Sequence, residues 1–487
     1  MNPVLIILVI LAYFAILMGV AHWTSAKGAN EQFFSGSHES PWYVVAFGMV
    51  GVMLSGLTFA SVPGTVATKQ FSYFQICLGN AIGYILIAFV LLPLYYRLNL
   101  TSIYSYLGQR LGLSSERTAS GFFLISRIIG ASLRLFLSLK IMQYLVLDNL
   151  KIPFFVTVLI SLVMIWLYTN KGGIGSIIWT DTLQTACMLI AVLVSCVAII
   201  SNLDWSVGEA LTRVMESPHS QIFFTEDVQQ ASYFWKSFIG GIVIALVMNG
   251  LDQDIMQKNL SCKSLKEARW NMLSMSPVLL VVNFLFLCFG VLLIFYIEKN
   301  GLVLAEGDKV FAVVAGEGHL GTFTAIAFIL GLTAATSSSA DSALTALTTA
   351  FCIDFCPWNQ WSEEEQKRRR QWVHICLSAI LFIVILGFSF TEGEGVVWLV
   401  FKAAMLTYGP LLGLFAFALL TKRQTQEKWV PYLMVLSVVL IYLLNHFSAK
   451  LLGGYKFGFE LLLVNGMLCF TCLWLFSTKV PAKLQSD

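Results

Sequence analysis

Thirteen apolar stretches fill most of this chain, at about 3–22, 41–63, 73–95, 119–147, 153–168, 175–201, 233–257, 271–296, 322–355, 372–390, 396–420, 429–447 and 458–477. Most are long enough to cross the roughly 30 Å hydrocarbon core of a bilayer as a helix. Backbone facing lipid must satisfy its hydrogen bonds within its own segment, so each stretch reads as mostly helical. Of the 487 residues 57% are hydrophobic and only 12% charged, against about 25% charged in a soluble domain. The fold class is an all-α polytopic membrane protein embedded in a lipid bilayer. No soluble domain of useful size separates the spans, so whatever the chain does happens inside the helix bundle. The first stretch lacks the basic start and small-residue cleavage site of a signal peptide and reads as a retained helix.

Lys and Arg set the orientation. With the N-terminus outside, eighteen of the thirty basic residues fall in inside segments and seven in outside ones. The inside set includes Lys27, Lys258 and Lys483. The reading is a multi-pass protein of the plasma (inner) membrane, N-terminus out and C-terminus cytoplasmic. The longer outside loops, about 203–232 and 298–321, are moderately acidic. Net charge is +3 with no basic block suited to nucleic acid. The ten cysteines show no zinc-type spacing and lie mostly in apolar runs, where they read as packing residues.

Against this background the run AATSSSADSAL, residues 334–344, stands out. A carboxylate in the middle of a membrane helix costs about 3 kcal/mol even on lenient insertion scales, and so demands a partner. In a helix Ser338, Asp341, Ser342 and Thr345 share one face, and Ala335, Ser338, Ser339 and Ser342 an overlapping one. Hydroxyls and a carboxylate are hard oxygen ligands for small cations. The plainer reading is that the serines join helices; Asp341 among them shifts the balance toward an ion site. Asp181, in GGIGSIIWTDTLQ, is a second intramembrane carboxylate, which either serves such a site or binds backbone donors at a helix start. In GVMLSGLTFASVPG, residues 51–64, Gly51, Ser55 and Gly56 weaken the helix, and unwinding there would free carbonyls as ion ligands. Arg134 lies near the middle of the fourth span with Arg127 seven residues earlier on the same face. It suits either a substrate carboxylate or a nearby Asp. Asn249, Asp252 and Asp254 make the end of the seventh span polar, consistent with a solvated inner mouth.

Together FFSG, PWYVVAFGMVGVMLSG, GGIGSIIWTDTLQ, DQDIMQKNL and SSSADSALTALTTAFCIDF resemble the sodium:solute symporter family across nearly the whole chain. The resemblance implies a five-plus-five inverted-repeat core of about residues 41–420, one leading helix at 3–22 and two C-terminal helices at 429–477, in a single transmembrane domain. It implies Na+ as coupling ion. The main sodium site would use the carbonyls of Gly51, Leu54 and Ala335 and the hydroxyls of Ser338 and Ser339. Some members have a further cation site, which maps here onto Asp181, Ser338, Asp341 and Ser342. Asp341 stands where a hydroxyl is expected, so it either strengthens that site, takes a proton or pairs with Arg134. Substrate positions map onto Ser55, Thr58, Gln75 and Asn249, with Phe59 nearby and Met248 replacing an aromatic gate. Arg134, if it reaches the cavity, favours an anionic solute such as a sugar acid over a neutral sugar or amino acid.

The expected activity is therefore alternating-access symport of a small polar solute with sodium, not enzymatic catalysis. GxSxG and HExxH patterns are absent, and the histidines lie mostly in loops or at span ends. Two alternatives stay open on the same fold: a proton-coupled symporter titrating Asp341 or Asp181, and a solute sensor that does not transport.

Overall fold

The structure, a computed structural model, describes residues 3–24, 30–302, 309–390 and 396–479. Lys27, Lys483 and part of the 298–321 loop lie outside the described residues. The apolar stretches become helices one for one: α1 (Pro3–Thr24), α2 (Trp42–Lys69), α3 (Ser72–Arg97), α4 (Leu113–Leu150), α5 (Phe154–Asn170), α6 (Gly172–Asn202), α7 (Phe234–Leu260), α8 (Leu265–Asn300), α9 (Thr322–Phe355), α10 (Glu363–Phe388), α11 (Val396–Leu420), α12 (Val430–Leu451) and α13 (Leu461–Leu475). Among the described residues nine pass as unbroken spans, α2 and α7 are bent pairs, and α5 and α13 are shorter.

The two bent helices open the two halves of a ten-helix core, α2–α6 and α7–α11. Helix α2 turns by 55° where Ser55 leaves helical geometry (φ 46°, ψ 171°). Helix α7 turns by 65° after a widened turn at Leu246–Gly250. There Asp252 restarts the helix as an N-cap, its carboxylate accepting the Asp254 N–H at 2.9 Å. The packing repeats with the halves exchanged: α2 lies along α8, and α7 along α3. This is the inverted repeat, preceded by α1 and followed by α12 and α13.

The α3–α7 crossing depends on small residues, which let membrane helices approach closely. A Cβ on Gly79 would meet the Phe238 carbonyl oxygen, and one on Gly241 the Ile76 carbonyl oxygen. Between α5 and α6 the chain breaks at Gly173, whose positive φ of 52° suits glycine and whose missing side chain leaves room for the Phe33 ring. A two-stranded antiparallel ribbon, Arg423–Thr425 with Ser477–Lys479, ties the end of α13 to the segment after α11.

The charges at the end of α7 are not a solvated mouth. Asp252 and Asp254 are fully buried. Arg127 of α4 pairs with Asp252 at 3.5 Å and makes a close ion pair with Asp254. Tyr408 of α11 donates to Asp252 at 2.5 Å. Arg127 and Tyr408 thus bring α4 and α11 onto the buried carboxylates of α7, and an ion pair this far from water is costly to break by removing one partner.

Candidate sodium and solute sites

Two neighbouring features lie at the centre of the core. The first is the break in α2. Beyond Ser55 the helix cannot continue its ladder, so carbonyls from the Gly51–Leu54 turn are released from regular helical bonding. Gly51 is held against α6: its N–H donates to the Thr185 hydroxyl at 3.1 Å, and that hydroxyl donates to the Asp181 carbonyl at 2.8 Å. On the α9 side, a Cβ built on Gly56 would lie 3.9 Å from the Ala335 carbonyl carbon. The Ser339 hydroxyl donates to the Ala335 carbonyl at 3.1 Å, which leaves its lone pairs free. Leu54, Ala335, Ser338 and Ser339 are all buried. The α2 break thus meets α9 at Ala335, one turn before Ser339, while Ser338 turns its hydroxyl to α6.

The second feature is a buried polar cluster between α5, α6, α7 and α9. Ser338 donates to Asp181 Oδ1 at 2.8 Å. The Lys258 ammonium donates to Asp181 Oδ2 at 2.7 Å and to the Ser342 hydroxyl at 2.6 Å. Asp341 accepts from the Tyr168 hydroxyl at 2.8 Å, from Gln184 at 3.4 Å and from the Ser342 N–H at 2.6 Å. Its expected alternative partner, Arg134, is not involved. Lys258, counted from sequence among the inside-loop cations, is in fact buried, at 1% exposure. Hydropathy alone ends the seventh span just before it, whereas α7 continues to Leu260.

Beside the α2 break is a cavity of about 120 Å³. Four of the five expected solute positions line it: Ser55, Thr58, Arg134 and Asn249, together with Met248. Tyr73, Asn80, Ser276 and Asn283 add polar groups that the sequence did not single out. Their signal was available, since Asn80 and Asn283 are amides within apolar spans. Gln75 does not line the cavity. Tyr73, Cys77, Asn80 and Tyr84 follow helical spacing and face inward, while Gln75, two residues from Tyr73, points the other way. Its amide donates to the Ser232 carbonyl at 3.0 Å and accepts the Phe224 N–H at 3.3 Å, pinning the 203–232 loop. Phe59 belongs to a ring cluster with Phe286, Phe311 and Phe328, at centroid distances of 6.3, 5.1 and 5.7 Å.

Arg134 has no carboxylate within ion-pair distance among the described residues, and its buried Nε has no hydrogen-bond partner. A guanidinium is charged at any physiological pH and offers five donors in a fork that matches a carboxylate.

Two opposed broken helices, a cavity between them and an oxygen-rich unbroken helix alongside define a secondary active transporter. The sodium:solute symporter family model matches residues 33–428, and the chain belongs to that family. Among curated relatives it is 24% identical over 430 residues to a sodium/sialic acid symporter of Aliivibrio fischeri, covering 85% of this chain and 82% of the relative. A sodium/sialic acid symporter of Proteus mirabilis is 24% identical over 84% of this chain and 82% of its own length. The human sodium/iodide cotransporter is 23% identical over 59% of this chain and 45% of its own length. Among solved structures, a substrate-bound, outward-open Na+-coupled sialic acid symporter superposes with a TM-score of 0.81 at 19% identity, covering 98% of this chain and 99% of that one. The protein is a multi-pass membrane transporter that moves a small solute with sodium as its coupling ion.

Proposed function

We propose that the solute is a small anionic, hydroxyl-bearing molecule of the sugar-acid class, bound at Ser55, Thr58, Arg134 and Asn249. The observation that carries this is Arg134: a guanidinium without an ion pair among the described residues, lining a cavity that also holds hydroxyls, amides and the carboxylate-paired Arg127. A desolvated cation beside a cavity favours an anionic occupant, and the neutral donors and acceptors suit hydroxyl groups. Two relatives named as sodium/sialic acid symporters are consistent with this class.

Sodium binds between the α2 break and α9, at the carbonyls of Gly51, Leu54 and Ala335 and the hydroxyls of Ser338 and Ser339. Asp181, Asp341 and Lys258 carry one net negative charge next to this position, which favours a cation there. Ion binding bridges the two helices and orders the Ser55–Thr58 turn for the solute. Coupling is reciprocal, so the solute raises sodium affinity by the factor by which sodium raises solute affinity. One sodium moving through 100 mV contributes about 2.3 kcal/mol, enough for useful accumulation. The Lys/Arg distribution supports an N-terminus outside and a C-terminus in the cytoplasm, and the ten-helix core with its flanking helices works as one domain of the plasma membrane.

Thermal-shift and calorimetric titration of the purified protein tests the solute class. In sodium buffer, sialic acid or another sugar acid should bind and its neutral, carboxyl-reduced analogue should not. Equal binding of both would remove Arg134 from recognition.

A further inference from the structure

The oxygen ligands of α6 and α9 converge on a cation that is already there. The Lys258 ammonium reaches Asp181 Oδ2 at 2.7 Å and Ser342 Oγ at 2.6 Å, and Asp254 Oδ1 lies 3.9 Å away on its own helix. Ser338 holds the other oxygen of Asp181 at 2.8 Å. We propose that Lys258 is a tethered cation which permanently fills the second cation position of Asp181, Ser338 and Ser342, so that the protein couples its solute to one sodium ion only.

The chemistry supports this on three counts. An ammonium carries the same unit charge as Na+ and directs its donors at oxygens, so it satisfies the same ligands electrostatically. It is attached to the chain by a four-carbon stem and buried at 1% exposure, so it stays when transported ions leave. With Lys258 on one oxygen of Asp181 and Ser338 on the other, a metal ion on this carboxylate would lie within a few ångströms of the ammonium, and like-charge repulsion opposes it. The remaining carboxylate, Asp341, is occupied separately by Tyr168, Gln184 and the Ser342 N–H. Lys258 thus determines ion stoichiometry without touching the solute. It also joins the C-terminal half of the bent helix α7 to α6 and α9, the unbroken helices beside the main site.

This inference rests on the sodium-coupled reading, and the test separates the two. Equilibrium binding of radiolabelled sodium to the detergent-purified full chain should give about one ion per protein, with sodium activation of uptake showing a Hill coefficient near 1. Lys258→Ala empties the tethered position beside Asp181 and should raise the count to about two. Where Lys258→Ala does not fold, the neutral pair Asp181→Asn with Lys258→Met replaces it, and the folded protein should bind one ion. Two ions on the unmodified protein, one ion on a folded Lys258→Ala variant, or two on the folded neutral pair would overturn the tethered-cation role while leaving sodium symport intact. No sodium on the unmodified protein would instead overturn the coupling reading beneath it.

Discussion

The Ser338 hydroxyl on α9 donates to the Asp181 carboxylate on α6 at 2.8 Å, joining residues 157 positions apart. Ser339, the next residue along, instead donates to the Ala335 carbonyl of its own helix at 3.1 Å, and Ala335 lies against Gly56 at the α2 break. Helix α9 therefore commits Ser338 to the polar cluster on α6, while the neighbouring Ser339 keeps the lone pairs that the proposed sodium site needs.

Removing the Ser339 hydroxyl should weaken sodium without unfolding the protein. Among the described residues the hydroxyl bonds only to the carbonyl one turn back, a bond whose loss costs little. A hydrogen bond or ligand to a charged group is worth about 1.5–3 kcal/mol, so Ser339→Ala should raise the sodium concentration for half-maximal uptake roughly 10- to 150-fold at saturating solute. Sodium activation of uptake in proteoliposomes measures this directly, and an unchanged midpoint would place the ion elsewhere.

Arg134→Ala should weaken binding of an anionic solute while leaving sodium binding in place. Arg134→Lys keeps the charge and loses the fork, so it should recover only part of the affinity. A charge-assisted contact of about 1.5–3 kcal/mol corresponds to roughly a 10- to 150-fold rise in Kd. Calorimetry on the purified variants separates the two, and a native Kd in Arg134→Ala would assign the anion to another residue.

Asp341 should not be the coupling proton carrier. All three of its partners, the Tyr168 hydroxyl, the Gln184 amide and the Ser342 N–H, present hydrogen to it. That arrangement suits an ionised carboxylate. An Asn there would turn its own N–H2 against donors, so Asp341→Asn should lower stability by about 1–3 kcal/mol. Uptake in the protein itself should require sodium and stay absent when only a pH gradient is imposed. Accumulation driven by the pH gradient alone would return the role to Asp341.

Arg127 holds two buried carboxylates, so its removal should be among the most damaging single changes. Arg127→Met strands the Asp252 carboxylate and leaves Asp254 only the Lys258 ammonium 3.9 Å away, a loss of about 3–5 kcal/mol. Adding Asp254→Asn removes one of the stranded charges and should recover part of that stability. Thermal melts in detergent report both steps; a double variant no more stable than the single would mean that the ion pair is not the cause.

Much of the site was legible in the sequence because polar groups are costly in a membrane and so mark themselves. The weak point at Gly51–Gly56 is the bend of α2, and Asp181, Ser338 and Ser342 do form one cluster. What stayed hidden was pairing across the fold. Tyr168 and Asp341 are 173 residues apart, and nothing in either stretch points to the other. Lys258 and the Asp252–Asp254 pair looked like surface charges because they follow an apolar run and precede more basic residues. Only the packing of the C-terminal half of α7 against α6 and α9 shows Lys258 to be buried. Gln75 was misplaced for a simpler reason: as a polar residue in a span it drew attention, but its helical phase turns it to the 203–232 loop.

The most direct measurement is uptake of labelled sugar acid into sealed proteoliposomes under an imposed inward sodium gradient. Labelled solute should accumulate above equilibrium, and the accumulation should collapse when sodium is replaced by choline or when the gradient is dissipated. Accumulation that persists without sodium would contradict sodium coupling.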